Sequence, residues 1–96
     1  MSAMMIARIT VKDPAKLQHY MTETVKVARD YGAEMVFRGR AARALNGADD
    51  HEITVVARFP SLEKLHAWYD SEAYAPLLAL RDEAADMHMT SYEAVG

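Results

Sequence analysis

A strand that must end and a helix that must begin meet at Phe59-Pro60-Ser61, the stretch that leaves the fewest alternatives. Phe59 closes an alternating run. Pro60 has no amide proton to give a sheet ladder, and the Ser61 hydroxyl can accept an unpaired amide of the first helical turn. Beyond it, Leu62, Leu65 and Tyr69 recur at three and four residues and set one apolar face toward a core, with Glu63, Lys64 and Asp70 on the wet side. Ser71 offers a second cap. Pro76 lies too deep in a helix counted from Ser71, where its ring would clash, so a break between Asp70 and Ala75 is expected, with Pro76 in the first turn of a new helix. Trp68, Tyr69, Tyr74 and Arg81 then gather at a helix joint.

The remaining elements follow from periodicity. Met4 to Val11 alternates Met5, Ala7, Ile9 and Val11 against Met4, Ile6, Arg8 and Thr10, so this strand is apolar on both faces. Asp13-Pro14 caps and opens a helix whose stripe is Leu17, Tyr20, Met21, Thr24, Ala28 and Tyr31, and Gly32 stops it. Ala33 to Arg38 reads as a second strand. Gly39, inside a run resuming through Ala41, Ala42 and Leu45, suggests a bulge, and Asn46-Gly47 suggests the turn of a long hairpin. Ile53 to Phe59 is the third strand, with Thr54, Val56 and Arg58 on the face opposite Ile53, Val55, Ala57 and Phe59. Met87 or His88 to Val95 alternates as a fourth. The order is βαββαβ, an α+β sandwich, in a chain of 96 residues that suits a single domain.

The string from Phe59-Pro60-Ser61 through Trp68-Tyr69, Ser71, Tyr74 and Arg81 resembles the family catalogued as domain of unknown function 1330. Tyr31-Gly32, Arg38-Gly39 and Asn46-Gly47 fall where that family usually shows Tyr-Gly-Gly, Arg-Gly-Gly and Glu-Gly, so the resemblance covers nearly the whole chain. Ala33, Arg40 and Asn46 depart from those motifs. The resemblance implies a ferredoxin-like chain, a four-stranded antiparallel sheet with two helices on one face, pairing into a dimeric α/β barrel. It implies no particular reaction.

The apolar second face supports the same pairing by an independent route. Two helices cover one side of such a sheet, and Met4, Ile6, Val36 and Val56 are too apolar for a side left to water, so burial against a second copy is expected. A homodimer burying on the order of 1,600 Å² or more in total would satisfy them. A formal charge of −3 argues against a nucleic-acid partner, which calls for a clustered excess of Lys and Arg. No cysteine is present, which excludes disulfides and thiol nucleophiles. Without a basic segment leading a long apolar stretch, or any run of about 18 apolar residues, no membrane partner is expected and a soluble cytoplasmic protein is the default. Seven scattered methionines read as core filler.

Two constellations could carry chemistry. Alternation sets Arg8, Arg38 and Arg58 on the face away from the helices, and pairing Leu45 with His51 would put Arg38 opposite Arg58. Like charges so placed call for something negative between them, either a ligand carboxylate or phosphate held by guanidinium forks or an internal Glu34, Glu52 or Glu93. Trp68, Tyr69, Tyr74 and Arg81 could line a pocket with π-faces and an anion anchor, or simply fill the core. His66, beside Trp68, is the histidine most suited to a pocket. His51 sits in the acidic turn Asp49-Asp50-His51-Glu52, and His19 and His88 show no partner in sequence. With no phosphate loop, nucleophile elbow or spaced metal triad, neither a cofactor nor a metal is expected.

The candidate ligand-binding residues are thus Arg8, Arg38, Arg58, His66, Trp68, Tyr69, Tyr74 and Arg81. The expected function is binding of a small anionic molecule. Cofactor-independent catalysis is open by analogy of fold, and a non-catalytic structural or binding homodimer is the alternative. An arginine in a pocket with no carboxylate in reach would favour a ligand; arginines paired internally would favour the structural dimer.

Overall fold

A computed structural model describes residues 2–48 and 50–95. Strand β1 (Ala3–Val11) leads to α1 (Pro14–Arg29), then β2 (Glu34–Arg40), β3 (Ile53–Phe59), α2 (Leu62–Tyr69), α3 (Leu77–Ala84) and β4 (Ala85–Glu93). The sheet is antiparallel throughout, in the order β2-β3-β1-β4. The strand that is apolar on both faces thus lies inside the sheet, between β3 and β4.

The expected stop and start signals act through hydrogen bonds. Asp13 Oδ1 accepts the Lys16 amide at 3.1 Å and Ser61 Oγ that of Lys64 at 3.1 Å, so α1 and α2 each open with one free donor satisfied. Gly32 ends the α1 connection at φ +84, where a Cβ would also stand 2.7 Å from Pro60 Cγ. The break in the second helical segment is real. Ser71 Oγ donates to the Trp68 carbonyl at 2.8 Å and accepts the Tyr74 amide at 3.1 Å, and α3 starts after Pro76.

One core lies between the helices and the sheet. Ala3, Met5, Ala7 and Ile9 of β1, with Val55 and Phe59 of β3, meet Leu17 and Tyr20 of α1, Leu65 and Trp68 of α2, and Tyr74 from the joint. The opposite face carries Ile6, Val56 and, on β2, Phe37, which is 55% exposed.

The pairing of β2 differs from expectation. Its bulge lies between Met35 and Phe37, not at Gly39, and the strand ends at Arg40 instead of resuming through Leu45. Glu34 pairs with Arg58, Phe37 with Val56 and Arg38 with Val55. Phe37, not Val36, therefore stands opposite Val56 on the open face, and Arg38 takes the helix side. An odd shift of register turns every following side chain to the other face. Gly39 remains in the ladder opposite Thr54, where a Cβ would stand 2.5 Å from the Phe37 ring.

Candidate functional site

The bulge at Val36 determines which guanidinium groups share a surface. Arg38 and Arg40, two residues apart, both pair with helix-side residues of β3, Val55 and Ile53. There they line a cleft of about 350 Å³ with Val11, Pro14, Leu17, Gln18, Met21 and Glu52. Glu52 is held in place, its Oε1 accepting the Val11 amide at 2.9 Å and its Oε2 lying 3.6 Å from Arg40 Nη1. Among the described residues no hydrogen bond or ion pair reaches the Arg38 guanidinium. Met21 also borders a smaller apolar cavity of about 60 Å³ between α1 and the sheet.

That inner cavity is lined by Tyr20, Thr24, Trp68 and Met89 among others. Two buried polar atoms of its lining residues, Thr24 Oγ1 and Trp68 Nε1, lack a hydrogen-bond partner. Thr24 lies near enough to the Tyr20 phenol to draw its pKa down slightly without reaching hydrogen-bond geometry.

The three arginines expected on one face separate. Arg8 and Arg58 remain on the open face, while the register shift carries Arg38 to the helix side. Arg58 Nη1 lies 2.7 Å from Glu34 Oε1, its cross-strand neighbour, so the internal glutamate weighed in the sequence is the partner found. Arg8 stands opposite His88.

The aromatic cluster is core at its centre and solvent-facing at its rim. Trp68 is 2% exposed and Tyr74 fully buried, their ring centroids 4.9 Å apart. Tyr69, placed by helical spacing on the core face, is instead 38% exposed, because Trp68 takes the core position on a helix of only two turns. Its hydroxyl accepts Arg81 Nη1 at 2.9 Å, and Arg81 Nε reaches Asp82 at 3.2 Å. Desolvation works to lower the Arg81 pKa, but hydrogen bonding to Tyr69 and Tyr74 outweighs it and the net shift is upward. Burial raises Tyr20, whose hydroxyl lies 2.7 Å from that of Tyr74, and burial raises Tyr74 likewise. Burial thus favours the protonated form of both phenols, which suits them to a structural role. His66 is exposed, with Nε2 3.0 Å from Ser91 Oγ, and borders a separate pocket of about 140 Å³ with Trp68 and Tyr69.

The sequence reading missed one grouping. His51 comes together with Asp86 and His88 on the open face although it lies far from them in the chain. Strand alternation pairs Asp86 with His88, but the approach of His51 depends on how the 41–52 connection folds back.

Sheet order, antiparallel pairing and helices on one side define an α+β protein of the ferredoxin-like class, here with an arginine-lined cleft at the edge strand. The chain belongs to the family described as Domain of unknown function (DUF1330), whose model matches residues 2–95. No curated protein matches the sequence. Solved structures share the fold at low identity. A protein of unknown function from Rhodopseudomonas palustris is 16% identical over 99% of this chain and 83% of its own, with a TM-score of 0.80. SnoaB, a cofactor-independent oxygenase from Streptomyces nogalater, is 11% identical over 99% and 94%, with a TM-score of 0.72. A dimeric ferredoxin-like protein of unknown function from Thermobifida fusca is 18% identical over 98% and 92%, with a TM-score of 0.61.

Proposed function

We propose that the protein is a homodimeric binder of small organic anions, holding the anionic group at Arg38 and Arg40 and the apolar remainder along Val11, Leu17 and Met21. The observation that carries this reading is Arg38, turned by the bulge into a cleft and left without a partner among the described residues. A guanidinium offers paired donors that match a carboxylate or phosphate, and Arg40 adds a second positive charge two residues away. The cleft volume, about 350 Å³, falls within the roughly 300–1,000 Å³ usual for small-ligand sites.

Binding is favoured over catalysis. Among the described residues no histidine lines the cleft, and the one lining carboxylate, Glu52, is engaged by the Val11 amide and Arg40. The cleft therefore offers no free general base among its described lining residues. The open sheet face supports the dimer, since Ile6, Phe37 and Val56 form apolar surface that no described element covers, and the similar Thermobifida fusca protein is dimeric. At Arg58 the internal pair with Glu34 favours a purely structural role instead.

A thermal-shift screen of small carboxylates and phosphates tests the reading. A true ligand at a hundred times its dissociation constant adds about 2.7 kcal/mol of stability. Arg38→Gln should abolish that gain while Arg58→Met preserves it. A panel that stabilises neither wild type nor variant, or a gain unaffected by Arg38→Gln, would defeat the proposal.

A further inference from the structure

We propose that His51, Asp86 and His88 form a binding site for a divalent transition-metal ion, zinc being the representative case, on the sheet face away from the helices. Each residue offers one ligand atom, and the three lie within 4.8 Å of one another. In a tetrahedral site with bonds of about 2.1 Å, ligand atoms stand roughly 3.4 Å apart, so a contraction of at most about 1.4 Å closes the set. Asp86 Oδ1 and His88 Nε2 are already at 3.9 Å, and the two imidazole rings are tilted with centroids 4.7 Å apart. Asp86 and His88 are exposed in the single chain, where small rotations of either meet little resistance.

Thr10 supplies an independent reason to read this cluster as a site. Its hydroxyl has a single proton, and Thr10 Oγ1 donates that proton to the Asp50 carbonyl at 3.2 Å. The same oxygen lies 3.1 Å from His51 Nδ1 and can accept there from the tautomer that carries its hydrogen on Nδ1, the one the proposed site uses. In neutral imidazole this makes Nε2 the lone-pair nitrogen, the form that ligates metals, with the other nitrogen oriented by a neighbouring oxygen. Thr10 is thus a positioning residue. Two imidazoles and one carboxylate suit zinc, cobalt(II) or nickel(II) better than calcium or magnesium, which prefer oxygen. The fourth position is left to water or another donor. Asp86 contributes a negative charge, while Arg8, opposite His88, opposes the cation and sets a limit on affinity.

The site is separate from the arginine cleft and needs neither that cleft nor a dimer. Untagged protein dialysed against zinc at neutral pH should take up one ion per chain, and cobalt(II) should give the visible absorption bands of a tetrahedral site. Exposed His88→Ala should lose both. Thr10→Val, which removes no ligand, should weaken uptake about 10- to 100-fold. Absence of stoichiometric uptake, or uptake and spectra unchanged in His88→Ala, would overturn the site; uptake unchanged in Thr10→Val would overturn the positioning role.

Discussion

Trp68 sits where the sequence placed it, at the centre of the joint between α2 and α3, and its neighbour Tyr69 does not. Only one of two adjacent helical residues can face the core, and the larger ring takes that place against Phe59, with centroids 5.3 Å apart. Replacing Trp68 by alanine should cost roughly 3–5 kcal/mol, because truncation removes transfer energy and leaves a cavity; chemical denaturation measures the loss. The buried phenols set a pH limit. Folding raises the pKa of Tyr20 and Tyr74, so the stability tied to them is full below the unfolded value of about 10 and falls as pH rises above it. Absorbance at 295 nm should show these two of the five tyrosines ionising only as the protein unfolds in alkali. Ionisation of all five well before unfolding would contradict the buried pair.

At the scale of elements, β2 is the piece that periodicity misplaces. Alternation assigns a face only while pairing is regular, and one extra residue at Val36 turned Arg38 away from Arg58 and left Glu34 in its place. The Arg58–Glu34 pair is about half exposed within the chain, with side-chain exposures of 45% and 64%, so it behaves as a surface ion pair. Arg58→Met should lower stability by about 0.2–1 kcal/mol, with the difference shrinking at high salt. A variant more stable than wild type would mean that Glu34 does not neutralise Arg58. The helix break, by contrast, was legible from Ser71 and Pro76, since capping and the missing proline amide act within one turn.

For the whole molecule, the open sheet face decides solution behaviour. Ile6, Phe37 and Val56 lie on it with the Arg58–Glu34 pair, and a second copy is the cover we propose. Wild type should sediment as a dimer at micromolar concentration, and Val56→Asp, which would bury an unpaired charge in the interface, should shift it to monomer. A wild-type monomer under those conditions would refute the dimer and leave this face for another partner. The proposed anion cleft would survive that result, since Arg38 and Arg40 lie on the helix side of the sheet, away from this face.

Legible in the sequence alone were the element order, the caps at Asp13 and Ser61, the break before Pro76, and a first strand apolar on both faces. Each of these follows from interactions spanning a few residues or from the periodicity of one element. The tertiary structure decided which side chains meet across elements. The bulge that divides Arg38 from Arg58 depends on how β2 pairs along β3, and the approach of His51 to Asp86 and His88 depends on the course of the 41–52 connection. A shift of one residue in pairing leaves the local pattern of a strand intact and reverses every face beyond it, which is why the arginines were legible as candidates and their meeting place was not.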